Sequence, residues 1–262
     1  MTINSIYNKG YKAITFPDGQ PHVVLDDPNV KEVQLVHPIR NPYELYKLLA
    51  LSNALAKASA RKEKLIIPYL MGARSDREMV PGDSIDLQVV AECINSCNFE
   101  SVLLYDVHSP VALQLIKNSI NIIPTELYNL YKQPNAVLVC PDKGATKRVN
   151  VIREHIPSIT DVIYCDKERE LSSGKLKLTV KTPEVVKNRP YIIVDDLCDG
   201  GGTFNLIAEQ LRPYNPDYAT LMVTHGIFSQ GFDKLRENFN IIYTTNSYNE
   251  QINKVVETLQ VF

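Results

Sequence analysis

The sequence predicts an α/β fold built from parallel sheets that are flanked by helices. Short apolar segments rich in β-branched residues alternate with segments of helical periodicity. Several of the apolar segments are continuously hydrophobic, as strands buried on both faces of a parallel sheet are. Strand–helix alternation of this kind is typical of α/β proteins.

The strands are predicted at apolar segments that end in polar, loop-forming residues. In chain order these segments are KEVQLV (31–36), KLIIPY (64–69), SVLLYDV (101–107), AVLVCP (136–141), DVIYCD (161–166), YIIVDD (191–196), ATLMVTH (219–225) and IIYTT (241–245). Helical patterns lie between them, which favours parallel pairing within each sheet.

The helices are predicted from their start signals. The first has Asn41 as N-cap, Pro42 at the first helical position and the carboxylate of Glu44 at the third. Two further amphipathic helices are predicted to start at Ser84 and at Thr203, where apolar residues follow at helical spacing.

The composition is that of a globular protein: of 262 residues, 44% are hydrophobic and 22% charged, with a net charge of −2. Apolar strands recur in both halves, so we expect two similar lobes, at 1–120 and 121–262. The small net charge gives no electrostatic reason to expect nucleic acid, and no apolar run reaches the ~18 residues of a membrane span. The 5 cysteines lack zinc-binding spacing, and a reducing cytoplasm is expected.

The feature most informative about function is the loop after the strand YIIV. Three glycines at a turn from strand to helix let the backbone approach a ligand closely, and the N–H groups at the helix start favour phosphate. The residues predicted to bind a ribose phosphate are Asp195, Asp196, Asp199, Gly200, Gly201, Gly202 and Thr203.

The acids of this loop have a separate role, because Asp195 and Asp196 would repel phosphate. They suit sugar hydroxyls, or a metal carried by the substrate. The loop is neither a Walker loop nor a dinucleotide-binding fingerprint. A glycine-rich turn with solvated acids is the alternative without a function, and three acids beside three consecutive glycines argue against it.

The loop resembles that of the phosphoribosyltransferase superfamily, and further motifs resemble the ribose-phosphate diphosphokinase family. In order, these motifs are FPDGQ (16–20), IPYLMGARSDRE (67–78), YDVHS (105–109), PDKGA (141–145), CDKER (165–169) and THGIFS (224–229). The resemblance implies two phosphoribosyltransferase-like lobes. It also implies an enzyme that transfers the β,γ-diphosphoryl group of ATP to the 1-hydroxyl of ribose 5-phosphate with Mg²⁺, releasing AMP.

On the ATP side, the resemblance implies that Arg74 and Arg77 bind the nucleotide and that His108 is a ligand of Mg²⁺–ATP. Two arginines three positions apart can hydrogen bond phosphate oxygens as a fork or stack on adenine. Surface ion pairing with Asp76 or Glu78 is the alternative for the arginines, and a structural role is the alternative for the histidine.

The resemblance also places Phe16, Asp18 and Gln20 against the adenine of ATP bound by a neighbouring subunit. The family usually has an acid at the last of these positions, so Gln20 makes that contact neutral. The active unit is then expected to be a homo-oligomer, a dimer or a hexamer, with the ATP site near a subunit interface.

The diphosphate loop implied by the resemblance is Asp142, Lys143, Gly144 and Ala145. Asp142 matches the second metal position. The family commonly has two glycines where this chain has Gly144 and Ala145, and the small alanine keeps the backbone accessible.

Lys167 and Arg169 match the catalytic pair of the family. The resemblance places them on a mobile loop, where they stabilise the charge of the transferring group once the loop closes. The polar segment 170–177 that follows suits such a loop. A solvated run of charges is the alternative.

Two departures from the family pattern concern the acceptor sugar. Gly200 stands where the family has a hydroxyl donor, and losing a charged hydrogen bond weakens phosphate capture by about 1–2 kcal/mol. The chain is also shorter than typical members. Both features leave open an acceptor whose 5-phosphate is already substituted, such as ADP-ribose, which would link the product to NAD metabolism rather than to nucleotide biosynthesis.

Two other classes of function remain as alternatives. A phosphoribosyltransferase would use the Asp195–Thr203 loop but would leave Arg74, Arg77, His108 and the Lys167–Arg169 pair unexplained. A non-catalytic regulatory relative should have lost catalytic positions, whereas this chain keeps them.

Overall fold

The computed structural model describes residues 1–169, 176–250 and 255–262. The chain divides into two compact units, 1–122 with Phe262, and 123–261. Among the described residues, no helix combines the length and the apolar character that crossing a bilayer requires.

The first unit contains a parallel five-stranded sheet and a two-stranded hairpin. The sheet has the order β1-β4-β5-β6-β7, and β2 pairs antiparallel with β3. The elements are β1 (Thr2–Asn4), β2 (Tyr11–Thr15), β3 (Pro21–Leu25), β4 (Glu32–Val36), α1 (Pro42–Lys57), β5 (Arg61–Ile67), α2 (Asp86–Ser96), β6 (Ser101–Tyr105), α3 (Ala112–Leu115) and β7 (Ser119–Ile122).

The helices of this unit follow from local sequence. The predicted start of α1 is confirmed, because the side chain of Asn41 accepts a hydrogen bond from the backbone N–H of Glu44 at 3.0 Å. The helix predicted to start at Ser84 begins instead at Asp86, and the Ser84 hydroxyl donates to the Asp86 carboxylate at 2.5 Å rather than capping the helix. Leu48, Leu51 and Leu55 then bury one face of α1 in the core.

The second unit is a seven-stranded sheet of order β10-β9-β8-β11-β12-β13-β14, parallel except for the β9–β10 pair. Its elements are α4 (Thr125–Tyr128), β8 (Val137–Cys140), α5 (Thr146–His155), β9 (Asp161–Arg169), β10 (Leu176–Val180), β11 (Tyr191–Cys198), α6 (Gly202–Leu211), β12 (Ala219–Gly226), α7 (Asp233–Asn238), β13 (Ile241–Thr245) and β14 (Val256–Leu259). Three short 3₁₀ helices span Lys143–Ala145, Pro183–Val186 and Arg212–Tyr214.

The edge strand β10 is held by a side chain of α6. Gln210 donates from Nε2 to the carbonyl oxygen of Leu178 at 2.6 Å, and its Oε1 accepts from the N–H of Val180 at 3.0 Å. One amide side chain therefore supplies both a donor and an acceptor to backbone groups of an edge strand, as a neighbouring strand would.

The predicted α/β class with helix-flanked parallel sheets is confirmed, and each predicted strand segment contains a strand. The strands that sequence reasoning missed are β1, β2, β3, β7, β10 and β14. They are short, and most expose one or more side chains. They therefore lack the continuous apolar character on which the strand predictions rested.

A buried polar cluster anchors the start of α1 beside the end of β4. The ring of His37 is fully buried, and its Nε2 donates to the carbonyl oxygen of Glu44 at 2.8 Å. Since the neutral ring has one donor, its Nδ1 accepts from the hydroxyl of Ser5 at 2.7 Å. Burial lowers the pKa of His37 to about 4.

This lowered pKa makes stability depend on pH. The unfolded chain binds a proton at His37 below pH 6.5, whereas the folded chain resists it until pH falls to about 4. The contribution of neutral His37 to the free energy of unfolding is therefore fully present above pH 6.5. It is lost as the pH falls from 6.5 through 4, and the full loss is about 3 kcal/mol.

We expect His37→Asn to be less stable than wild type at neutral pH. We also expect it to lose less stability than wild type between pH 7 and pH 4, as measured by urea unfolding. The exchange of exposed His22 for Asn should keep the wild-type pH slope, and an unchanged slope in His37→Asn would contradict the assignment.

Candidate active site

The predicted phosphate loop lies at the carboxyl end of β11 and leads into α6. Gly201 has a left-handed backbone with φ +75°, and a Cβ there would come within 3.0 Å of a Leu235 side-chain carbon on α7. Glycine is required at this position by both conformation and space. The helix begins at Gly202, so the loop N–H groups and the Thr203 hydroxyl lie at an N-terminus, which attracts anions.

The two acids at the end of β11 are buried to different degrees. Asp196 is 5% exposed, and its backbone N–H donates to the carboxylate of Asp195 at 2.9 Å. Burial raises the pKa of Asp195 well above its ordinary value, and the negative charge of Asp196 raises it further. Arg148 of α5 opposes this rise, with its Nη1 3.6 Å from the Asp195 carboxylate. Sequence reasoning missed Arg148, although a basic residue early in the helix after PDKGA was the available signal.

The diphosphate loop follows β8, the strand next to β11. Asp142 accepts hydrogen bonds at Oδ1 from the backbone N–H groups of Gly144 at 2.9 Å and Ala145 at 3.3 Å. A Cβ on Gly144 would lie 3.1 Å from this oxygen, so the close approach favours glycine. Because β8 and β11 pair in parallel, the loops that follow them lie at the same edge of the sheet. The charge of Asp142 also raises the pKa of Asp195.

The THGIFS motif (224–229) covers the end of β12 and the start of the segment that follows it, and this segment packs against the phosphate loop. The carbonyl oxygen of Cys198, immediately before the loop, accepts from the N–H groups of Ile227 at 2.9 Å and Phe228 at 3.1 Å. A Cβ built on Gly200 would come within 3.3 Å of Cγ of Gln230 in the same segment. The phosphate loop is therefore backed by residues that the sequence analysis had given no role.

In the first unit, two predicted ATP-side motifs meet at the carboxyl ends of the neighbouring strands β5 and β6. Asp76 accepts a hydrogen bond from the Ser109 hydroxyl at 2.6 Å, and this bond, followed by that of Arg77, holds its pKa below the ordinary value. Arg77 also forms an ion pair with Asp76 at 3.0 Å, which is the surface ion pairing that the sequence analysis gives as the alternative to nucleotide binding. The Arg77 side chain is nevertheless 74% exposed. Arg74 and His108 are exposed as well.

The segment predicted to meet adenine is the tip of the β2–β3 hairpin. The N–H of Phe16 donates to the carbonyl of Gln20 at 2.9 Å, and the Asp18 carboxylate accepts from the N–H of Gln20 at 3.0 Å. The Phe16 ring is 43% exposed and lies 5.7 Å from the ring of His22. The tip therefore presents an aromatic face to solvent.

The predicted catalytic pair lies on a strand rather than on a loop. The backbones of Lys167 and Arg169 belong to β9, where they pair with Leu178 and Leu176 of β10. Their side chains lie outside the described residues, and so do residues 170–175 of the predicted mobile segment 170–177. The last two residues of that segment, Leu176 and Lys177, belong to β10. The strand prediction ended too early because its last residues are charged rather than apolar.

Comparisons with known proteins match both halves of the chain to family models. Residues 6–97 match the N-terminal domain of ribose phosphate pyrophosphokinase, and residues 111–257 match the phosphoribosyl transferase domain. The second match alone spans more than half of the chain.

Relatives and a solved structure agree with these models. Ribose-phosphate pyrophosphokinase of Pyrococcus abyssi is 28% identical over 249 residues, which cover 92% of this chain and 85% of the relative. The protein of the same name from Ureaplasma parvum is 31% identical over 193 residues, covering 71% and 57%. The crystal structure of phosphoribosylpyrophosphate synthetase from Mycobacterium smegmatis has the same fold, with a TM-score of 0.81, 20% identity and coverage of 95% and 85%. The chain therefore belongs to the ribose-phosphate pyrophosphokinase family.

Proposed function

We propose that this protein transfers the β,γ-diphosphoryl group of ATP to the 1-hydroxyl of ribose 5-phosphate and releases AMP. The observation that supports this most directly is the juxtaposition of two loops in the second unit. One is a glycine-rich helix N-terminus suited to a ribose phosphate, and the other is the Asp142–Ala145 loop suited to diphosphate. Relatives named for this activity match 92% of the chain.

The roles of the phosphate-loop residues follow from their charge. The loop N–H groups and the Thr203 hydroxyl would bind the 5-phosphate, while Asp195 and Asp196 would accept hydrogen bonds from the ribose hydroxyls. Arg148 limits the rise of the Asp195 pKa and so favours the ionised acceptor. Binding the sugar at both ends fixes its 1-hydroxyl for in-line attack.

The remaining residues would act on ATP. Arg74 and Arg77 would bind its phosphates or base, and Lys143, Gly144 and Ala145 would line the path of the transferred diphosphate. Both arginines are exposed. Lys167 and Arg169 would stabilise the negative charge of the group in transit.

Mg²⁺ is proposed as the cation that accompanies ATP. His108 of the first unit would be a ligand of Mg²⁺–ATP, and Asp142 of the second unit would be a second, separate metal position. Within residues 1–169, 176–250 and 255–262, no three or more His, Cys, Asp or Glu side chains gather as a metal cluster. Mg²⁺ commonly binds through one or two carboxylates together with substrate phosphates. The negative charges of Asp196 and Asp142 raise the pKa of Asp195, and a bound cation would reduce this repulsion between carboxylates. When bound, Mg²⁺ neutralises phosphate charge.

A second acceptor, ADP-ribose, is favoured by one observation. Gly200 offers no hydroxyl, so the loop has one donor fewer for a terminal phosphate, and a phosphate that is already substituted needs fewer donors. The chemistry at the 1-hydroxyl would be unchanged, and the product would be ADP-ribose 1-diphosphate.

The test is to incubate the purified protein with ATP, Mg²⁺ and either sugar, and to measure AMP by chromatography and the product by ³¹P NMR. We expect AMP to form with ribose 5-phosphate in equal amount to the 1-diphosphate, and to stop when Mg²⁺ is chelated. Faster turnover of ADP-ribose than of ribose 5-phosphate would identify ADP-ribose as the acceptor. If no AMP forms with either sugar, and the protein instead joins a base to 5-phosphoribosyl 1-diphosphate, the protein is a phosphoribosyltransferase.

A homo-oligomer and a cytoplasmic location are also proposed. The β2–β3 hairpin exposes the apolar side chains of Ile14, Phe16 and Val24, at 51%, 43% and 47%, which suits contact with another subunit near its ATP site. The five cysteines are free thiols, which fits a reducing compartment where ATP is available.

A further inference from the structure

We infer that Gln230 binds the 5-phosphate with its side-chain amide, in place of the side chain that is absent at Gly200. The inference rests on the proposed function, because it adds a specificity-determining residue to the same phosphate loop. Gln230 directly follows the THGIFS motif (224–229), for which no role is assigned above.

The observation that supports it is how close the Gln230 side chain lies to the position that a side chain at Gly200 would take. A Cβ on Gly200 would lie 3.3 Å from Cγ of Gln230, tighter than ordinary van der Waals contact. The amide of Gln230 begins at the next carbon of the side chain, so it lies beside the loop where phosphate is expected. Gln230 is exposed, and its amide is accessible to a ligand.

The backbone of Gly200 gives the second argument. Its φ lies outside the left-handed region, unlike that of Gly201, so a residue with a side chain could adopt the same conformation. Conformation therefore does not require glycine at position 200. The space beside it is limited, because a Cβ there would lie 3.3 Å from Cγ of Gln230, an exposed side chain that would have to shift.

The position of Gln230 is fixed by its neighbours. Ile227 and Phe228 are hydrogen bonded to the carbonyl of Cys198, and the N–H of Gly231 donates to the carbonyl of Phe228 at 2.9 Å. The Phe228 ring packs 4.8 Å from that of Phe232. The backbone from which the Gln230 side chain extends is therefore held in place next to the phosphate loop before a ligand binds.

The charges around the loop make an added donor valuable. The segment Asp199–Thr203 contains no lysine or arginine, and its side chains offer one carboxylate and one hydroxyl. Phosphate binding therefore depends on neutral donors. An amide contributes two N–H groups, and one hydrogen bond to a charged group is worth about tenfold in affinity or more.

The first test separates the amide from the packing of the side chain. Gln230→Met keeps the length and the contact with Gly200 but removes the donors, and we expect it to raise KM for ribose 5-phosphate about tenfold with kcat nearly unchanged. Gln230→Glu should raise KM further, because a carboxylate repels phosphate. Lys234→Met, at an exposed position on α7, is the matched control. A wild-type KM in Gln230→Met would overturn the inference, since packing alone would then explain the residue.

The second test asks whether the two positions share one space. Gly200→Thr should raise KM in the wild-type background by displacing Gln230, and should lower KM in Gln230→Ala, where the new hydroxyl can replace the amide. If the effects of the two substitutions on KM are strictly additive in free energy, the two side chains do not share one site, and the inference is contradicted. Calorimetry measures the affinity of the same variants for ribose 5-phosphate without turnover. A protein that binds the sugar but has no activity would refute the proposed reaction, and the effect of Gln230 on sugar binding could still be measured.

Discussion

Lys167→Ala is expected to lower kcat by about a thousandfold, with the affinity for ribose 5-phosphate largely kept. Removing one preorganised donor from a developing negative charge costs roughly 10²–10³ in rate, and a full positive charge on a triphosphate should reach the upper part of this range. The backbone position of Lys167 on β9, paired with Leu178, gives the side chain a defined origin at the carboxyl end of the sheet. Steady-state AMP release and calorimetry with ribose 5-phosphate measure the two effects separately.

Lys181→Ala is the matched control for this variant. Lys181 follows β10, is exposed, and pairs with Asp166 at 2.7 Å, so its removal changes the charge of the same hairpin without a proposed role in chemistry. Its kcat should stay within a few-fold of wild type. Equal turnover of Lys167→Ala and wild type would show that the catalytic assignment of the pair is wrong.

Glu44→Ala is expected to destabilise the first unit by about 3 kcal/mol. The Glu44 carboxylate contacts Nζ of Lys47 at 2.9 Å, and the Lys47 side chain is only 7% exposed. Removal of the carboxylate leaves a buried ammonium group without its partner, and such changes cost roughly 3–5 kcal/mol. The lower value is expected here, because Glu44 keeps 12% side-chain exposure and Lys47 can extend toward solvent.

Glu32→Ala provides the comparison at the surface. Glu32 pairs with Arg61 at 2.5 Å, but both side chains are about half exposed. Exposed pairs contribute about 0–1 kcal/mol, so a small change in the midpoint of urea unfolding is expected. Similar losses in the two variants would mean that the burial of the Glu44 pair has no energetic consequence.

The sequence predicted the parts of the molecule that local chemistry determines. Asn41 and Glu44 specify the start of α1 through one hydrogen bond, and three glycines between a buried strand and a helix specify a phosphate loop. In both places neighbouring residues interact with one another, so that spacing along the chain is enough to infer the structure.

What the sequence could not reveal depends on contacts between distant residues. Arg148 reaches Asp195 only because α5 follows β8, the strand next to β11. Gln230 meets Gly200 because the segment after β12 is hydrogen bonded to the end of β11. Neither pair has a characteristic spacing, so both become visible only when strand order is known.

The hydrogen bonds from the amide of Gln210, on α6, to β10 have a consequence for self-association. An edge strand with free backbone groups can act as a template on which another chain adds a strand. Here Leu178 and Val180 already exchange hydrogen bonds with Gln210, so an incoming strand would first have to displace it. A continuous intermolecular sheet through this edge is thereby disfavoured.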